Sequence, residues 1–357
     1  DKIPYGIVSC PEHKQAAYSC AQRSMVLLKN NGILPLNESD VKTIAVIGPN
    51  ADSRTALEGN YNGTADRYVT FLEGIEDRFS GRVLYAEGCH LYKDRVSGLA
   101  KSGDRYAEAE AAAANSDVVI LCLGLDATIE GEEGDTGNEF SSGDKNDLRL
   151  PESQRILAEK ITALGKPVII VCAAGSSINT EVCSDALIHA WYPGSEGGKA
   201  LADIIFGDVS PSGKLPVTFY ETAEKLPDFT DYSMKNRTYR YTTDNILFPF
   251  GYGLTYGNVK VTALEYKCGK ASVTAVNHGR TTEDVIELYI KAHDGNATPN
   301  PCLCGFKRIF IRENEEITFD IPLSEKVFTV INENGERIRP DCGYTLYAGT
   351  HQPDMLS

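Results

Sequence analysis

Continuous apolar runs alternate with helical patterns between about residues 40 and 220. The apolar runs are at 43–48, 117–124, 167–173 and 187–191. The amphipathic helical patterns are at 105–115, 151–164 and 196–206. A strand that is apolar at every position must be buried on both faces, which is typical of parallel sheets covered by helices. The pattern therefore predicts an α/β fold with a doubly wound, mostly parallel sheet.

The pattern changes after about residue 257, where apolar and polar positions begin to alternate. The alternating segments are at 271–276, 284–290, 309–311, 317–321 and 344–348. Turn residues such as Asn277-His278-Gly279 separate them. About seven short strands in about 100 residues are typical of a β-sandwich of the immunoglobulin or fibronectin type III kind.

These changes of pattern divide the chain into four regions. We expect a linker and lead-in segment at 1–40, an α/β domain at 41–219, a connector at 220–257 and a fibronectin type III-like domain at 258–357.

The charge and cysteine content exclude several classes of function. The 357 residues carry a net charge of −15, so neither a nucleic acid nor an anionic membrane surface is an expected partner. Cys122 and Cys172 lie inside apolar runs, which favours buried thiols and a reducing, cytoplasmic location over secretion. Four Asn-x-Ser/Thr triplets keep a secreted origin open. The scattered histidines and the single Cys302-x-Cys304 pair predict no metal site.

The longest insertion in the α/β region is the segment 125–150, directly after the apolar run at 117–124. Its acidic residues include Glu130, Glu132, Glu133, Asp135, Glu139, Asp144 and Asp147. In open parallel sheets ligands bind beyond the carboxyl ends of strands, and long loops are often functional. A solvated acidic loop is the alternative. Because the sequence also lacks phosphate-binding and dinucleotide-binding glycine patterns, the chemistry that remains is that of carboxylates.

Several motifs, in order along the chain, resemble those of family 3 glycoside hydrolases of the β-glucosidase and β-xylosidase type. They are at 23–36, 59–63, 192–198, 206–208, 211–216, 249–256 and 304–308. The resemblance covers nearly the whole chain. It implies the family's C-terminal α/β domain followed by its fibronectin type III-like domain.

The resemblance also implies a function and a site. Members of the family are retaining, exo-acting β-glycosidases that need no cofactor, with a general acid/base Glu on a loop of the α/β domain. The resemblance assigns the general acid/base to Glu130, with Glu132 and Glu133 as alternatives. Asn60 and Tyr61 are candidate substrate-binding residues. The nucleophilic Asp of the family lies on a (β/α)₈ barrel of about 250 residues. No segment here is left for it, so we expect a barrel from elsewhere as partner and an inactive isolated chain.

Two other classes of protein stay open, as does self-association into a homo-oligomer. The first class is a non-catalytic carbohydrate-binding or interaction module of the same fold. The second is a flavodoxin-like cofactor protein with an added sandwich. The choice between glucosyl and xylosyl substrates is not decided by these residues.

Overall fold

The computed structural model describes residues 2–93, 101, 103–130, 145 and 147–353. The chain divides into two compact units, residues 1–211 and 212–357. The helices of the first unit are α1 Pro11–Ser24, α2 Phe71–Arg78, α3 Tyr106–Ala114, α4 Glu152–Thr162 and α5 Gly197–Phe206. Its strands are β1 Val26–Asn30, β2 Thr43–Ile47, β3 Arg82–Ala86, β4 Val118–Gly124, β5 Val168–Ala173 and β6 Ala186–His189.

The six strands form one sheet in the order β1-β6-β5-β4-β2-β3. Strands β2 to β6 pair in parallel, and β1 pairs antiparallel to β6. Every residue of the central strands β4 and β5 is buried, including Cys122 and Cys172, as their unbroken apolar runs predict. The predicted α/β architecture with a mostly parallel sheet is thus confirmed.

The last residue of β4 turns the chain out of the sheet. Gly124 has a φ of 138°, and a Cβ added there would lie 1.9 Å from the carbonyl oxygen of Ala173 in β5. Glycine is therefore required both by the backbone conformation and by the close approach of the neighbouring strand. The buried side chain of Gln154 in α4 holds this turn. Its Oε1 accepts from the Gly124 N–H at 2.8 Å and its Nε2 donates to the Gly124 carbonyl at 2.7 Å.

The second unit is built from antiparallel strands, the helical turn α6 Thr238–Tyr241 and a 3-10 turn at Glu325–Phe328. Its strands are β7 Phe219–Tyr220, β8 Ile246–Phe248, β9 Val259–Lys267, β10 Lys270–Asn277, β11 Thr282–Ala292, β12 Cys302–Ile311, β13 Glu316–Pro322, β14 Val330–Ile331, β15 Arg337–Ile338 and β16 Tyr344–Gly349. Two three-stranded sheets, β13-β10-β9 and β12-β11-β16, contribute apolar side chains such as Val273, Leu288 and Ile321 to a common core. This architecture confirms the predicted β-sandwich of fibronectin type III-like kind.

A buried group of charged residues lies where residues 212–216 meet β11. Lys214 Nζ is 2.9 Å from Asp284 Oδ1 and donates to the Gly253 carbonyl at 2.7 Å. Glu287, which is 5% exposed, accepts a hydrogen bond from the Tyr289 hydroxyl. Burial raises the pKa of Glu287 to about 7, against the opposing effects of that hydrogen bond and of Lys214. Residues 212–216 are therefore fixed by buried polar contacts.

Replacing Gln154 by Leu should destabilise the α/β unit, because the buried N–H and carbonyl of Gly124 would lose their partners. Each group left unsatisfied costs about 1–3 kcal/mol. Urea unfolding followed by the fluorescence of Trp191, the single tryptophan, measures the change. The exposed Glu159→Gln on the same helix is the control and should change stability by no more than about 0.5 kcal/mol. Equal unfolding midpoints for the two variants would contradict this role of Gln154.

Glu287 should make folding stability depend on pH. The unfolded chain releases this proton near pH 4.5 and the native protein near pH 7. Stability from this group is therefore fully present below about pH 4.5 and falls as the pH rises to about 7, by about 3 kcal/mol in total. Glu287→Gln should remove this slope from unfolding curves followed by circular dichroism. The exposed Glu265→Gln should keep it, and an unchanged slope in Glu287→Gln would refute the assignment.

Candidate active site

The segment after β4 begins with a compact turn that positions Glu130. The backbone N–H groups of Ile129 and Glu130 both donate to the Asp126 carbonyl at 3.0 Å. The Asp126 carboxylate accepts from the backbone N–H of Thr128 at 2.9 Å and from its hydroxyl at 2.6 Å. The side chain of Asn50, which is buried, donates to the Leu125 carbonyl at 2.8 Å. The turn is thus fixed at its start and along its length, and Glu130 has a defined place at the carboxyl edge of the sheet.

The carboxylate of Glu130 is bound by groups that follow the two neighbouring strands. Its Oε2 accepts from the Gly175 N–H at 2.7 Å and also from the Tyr192 hydroxyl. Its Oε1 accepts from the hydroxyl of Ser176. Gly175 and Ser176 follow β5, and Tyr192 follows β6. Three adjacent parallel strands therefore converge on one carboxylate, and the three donors to it among the described residues are formally neutral.

A lysine lies at the return of the same loop. Lys145 donates to the Arg149 carbonyl, and its Nζ is 3.7 Å from Asp147 Oδ1. Burial lowers the pKa of Lys145, while the charges of Asp147 and Glu130 act against that effect. Burial also raises the pKa of Tyr192 above its ordinary value, and the neighbouring charge of Glu130 raises it further. Tyr192 is therefore a neutral hydrogen-bond donor at any physiological pH.

The two central thiols are not candidate nucleophiles. Burial raises the pKa of Cys172 to about 12, and it raises that of Cys122 as well. A reactive cysteine needs a thiolate and therefore a lowered pKa.

The predicted substrate-binding residues Asn60 and Tyr61 occupy different surroundings. Asn60 Nδ2 donates to the Glu130 carbonyl at 3.0 Å, so this residue lies beside the candidate acid/base. Tyr61 is 88% exposed and has a φ of 59°. Substrate contact by either residue stays a prediction. The alternative candidates Glu132 and Glu133 lie outside the described residues.

Sequence reasoning missed Ser176, Tyr192 and Lys145 as members of the site. In the sequence, Tyr192 stands out only as the first residue of the family motif at 192–198, and Ser176 belongs to no motif. The sequence feature that could have indicated Ser176 and Tyr192 is their position, because each closely follows an apolar run that forms a parallel strand.

No group of three or more His, Cys, Asp or Glu side chains placed to hold a metal ion occurs in the ranges described above. Within the same ranges, no helix has the length and apolar character that crossing a membrane would require.

Two family models match the chain. The glycosyl hydrolase family 3 C-terminal domain matches residues 25–256, and the fibronectin type III-like domain matches residues 284–352. Among curated proteins, a xylan 1,4-β-xylosidase of Xylanibacter ruminicola is 29% identical over 99% of this chain and 58% of its own length. A β-xylosidase of Formosa agariphila is 32% identical over 95% of this chain and 48% of its own length. A periplasmic β-glucosidase of Salmonella typhimurium is 32% identical, with coverages of 90% and 46%.

Solved structures agree with these matches. A β-glucosidase from Bifidobacterium adolescentis aligns with a TM-score of 0.82 at 28% identity, covering 100% of this chain and 54% of its own. A β-glucosidase from Erythrobacter marinus aligns with a TM-score of 0.82 at 31% identity, with coverages of 96% and 50%. The chain spans about half the length of the relatives and structures that it matches.

The proximity of Lys145 to Glu130 can be tested in the isolated chain. Because the negative charge of Glu130 favours the ammonium form, Glu130→Gln should lower the pKa of Lys145 further. The ¹³Cε resonances of labelled lysines measure this pKa, and Lys145→Arg assigns the signal by its loss. The exposed Glu152→Gln serves as the control and should leave the titration unchanged. A Lys145 that titrates identically with and without Glu130 would disprove the proximity.

Proposed function

Because the chain belongs to glycosyl hydrolase family 3, we propose that it supplies the general acid/base of a retaining, exo-acting β-glycosidase, and that Glu130 is this residue. The enzyme removes terminal β-D-glucosyl or β-D-xylosyl residues from oligosaccharides or glycosides. The nucleophilic Asp is on a (β/α)₈ barrel outside this chain, either in preceding polypeptide or on another chain.

The observation that carries this proposal is the anchoring of Glu130 at the carboxyl edge of the parallel sheet. Glycoside cleavage with retention needs a carboxyl group that first donates a proton to the leaving oxygen and then, as a carboxylate, activates water. Both carboxylate oxygens of Glu130 accept hydrogen bonds from Gly175, Ser176 and Tyr192. This is the arrangement of an ionised carboxylate and supports the second of these roles. Donation to a leaving group then requires a protonated Glu130 that has left at least one of these donors.

Other carboxylates of this region are less suited to the chemistry. Asp126 is 6% exposed and is bound by the Thr128 hydroxyl. Asp147 accepts from the Arg149 N–H at 2.9 Å and from its guanidinium at 3.1 Å. A nucleophile must lie only about 5–5.5 Å from the acid/base carboxyl and be free to attack. Neither of these two described aspartates is free to attack, which agrees with the proposal of a nucleophile supplied from outside this chain.

The choice between glucosyl and xylosyl substrates depends on the same placement of the acid/base on this chain and of the nucleophile on the barrel. The relatives named above include both β-xylosidases and β-glucosidases. Groups that distinguish a pentosyl from a hexosyl residue must contact the terminal sugar, and we place most of them on the barrel. Asn60 lies close enough to Glu130 to contact the leaving-group side of the bond.

The test is Glu130→Gln in an enzyme in which this chain is joined to, or mixed with, a family 3 barrel. Hydrolysis of glycosides with poor leaving groups should fall by about 10²–10⁴-fold, since general acid catalysis is lost. Cleavage of dinitrophenyl glycosides should keep a rapid first step, because that leaving group needs no protonation. Azide should rescue turnover by attacking the glycosyl-enzyme without a base, giving a β-glycosyl azide.

Matched variants distinguish Glu130 from its neighbours. Glu132→Gln and Glu133→Gln should both keep activity on poor leaving groups and show no azide rescue. If one of them shows the selective loss and Glu130→Gln does not, the acid/base is that residue instead. The isolated chain of 357 residues should hydrolyse neither substrate, and substantial activity without a barrel would overturn the division of the site.

A further inference from the structure

A cavity of about 470 Å³ in the second unit lies between α6, the end of β11, the start of β12 and the β14–β15 pair. Its volume falls within the range of about 300–1,000 Å³ that is typical of sites for small organic molecules. The floor is apolar and includes Ile290 and Val330, which are 7% and 8% exposed. The cavity is therefore formed by the core of this unit and not by a surface loop alone.

Four cationic side chains line this cavity, which we call the cationic cavity: Arg240, Lys291, Lys326 and Arg337. No acidic residue is among its lining residues in the described part of the chain. This is unusual for a protein with a net charge of −15. Like charges that surround one concave space repel each other, and a bound anion relieves that repulsion.

None of the four cations forms an ion pair with a described carboxylate. Lys291 donates to backbone carbonyls, including that of Pro299 at 2.8 Å. Arg337 donates to the Thr329 hydroxyl at 2.8 Å. Lys326 Nζ makes no hydrogen bond with the described residues. Among the described residues of this unit, the four positive charges thus have no carboxylate partner.

Two acids close to the cationic cavity in sequence, Glu325 and Asp294, have partners elsewhere. Glu325 is paired with Arg339 at 2.8 Å. Asp294 accepts from the backbone N–H of Asn296 at 2.8 Å and from its side-chain amide at 2.9 Å. Neither carboxylate lines the cavity.

We propose that the cationic cavity binds a sugar acid, such as a hexuronate unit of an acidic glycan, with the carboxylate at the cationic rim and the ring against the apolar floor. A pyranose ring has an apolar C–H face as well as hydroxyl groups, so it matches a cavity with both kinds of lining. The choice of a sugar acid over other organic carboxylates rests on the proposed glycosidase function. Binding here would add recognition of a charged branch or chain that is separate from the reaction.

The experiment titrates sodium D-glucuronate into the full chain, with D-glucose as the neutral probe of the same ring size, and measures binding by calorimetry and by saturation-transfer NMR. Glucuronate should bind with a Kd of about 1 mM or tighter, and glucose at least about tenfold more weakly. Binding should weaken between about 20 and about 300 mM NaCl, because the rim cations are exposed to solvent. Failure to bind glucuronate, or equal binding of the two sugars, would overturn the proposal.

Variants locate the binding in the cationic cavity. Lys326→Gln with Arg337→Gln should weaken glucuronate binding at least about tenfold, while Lys326→Arg, which keeps the charge, should preserve it. Lys260→Gln with Lys267→Gln removes the same charge from exposed lysines outside this cavity and should have no effect. A similar loss in both double variants would place the effect in the general charge of the protein and refute the site.

Two further outcomes distinguish this proposal from a general anion site and from the proposed catalytic function. If inorganic phosphate displaces glucuronate at equal concentration, the cavity is a general anion site and the assignment to sugar acids fails. Because the binding measurement needs neither the barrel nor Glu130, loss of the proposed catalytic role would leave its result unaffected. Glu130→Gln should bind glucuronate as the unaltered chain does.

Discussion

The turn at Gly124 is the constraint from which the candidate site follows. The chain must leave β4 beside the Ala173 carbonyl in a conformation that only glycine adopts without strain. At this turn the backbone N–H and carbonyl of Gly124 lie inside the protein and need hydrogen-bond partners. The buried side-chain amide of Gln154 bonds both. The loop that follows therefore starts from a fixed point. The direction of this loop places Glu130 at the ends of β5 and β6, where the neutral donors Gly175, Ser176 and Tyr192 bind its carboxylate.

The nature of those donors decides what the chain can and cannot do alone. Gly175, Ser176 and Tyr192 hold a carboxylate through hydrogen bonds without cancelling its charge. Lys145, at the return of the loop, adds a cation whose pKa is lowered by burial. Among the described residues, this carboxylate has hydrogen-bond donors but no ion-pair partner. In the proposed role, a retaining glycosidase also needs a second, attacking carboxylate, so Glu130 would be one half of a catalytic pair.

Sequence reasoning worked where local pattern and burial coincide. The runs that became β4 and β5 are apolar at every position, so they could be assigned without knowledge of the fold. Strand β3 was missed because it lies at the edge of the sheet and only its last residue, Ala86, is buried. The composition marked the loop as acidic, but the choice of Glu130 within it came from family resemblance. Ser176 and Tyr192 could not be found this way, because their approach to Glu130 depends on the order of strands in the sheet.

Charge is handled differently in the three polar groups of this chain, and the difference separates structure from function. Lys214 and Asp284 are buried and paired with each other, which stabilises the packing of residues 212–216 but leaves nothing for a ligand. Glu130 is held by neutral donors and keeps its charge available. Of the cations of the cationic cavity, Arg240, Lys326 and Arg337 are exposed and Lys291 is half-buried, and none has a carboxylate partner among the described residues, so solvent ions or a bound anion would relieve their repulsion. Pairing of buried charges thus serves packing in this chain, whereas Glu130 at the carboxyl edge of the parallel sheet and the cations of the cationic cavity have no described ion-pair partner.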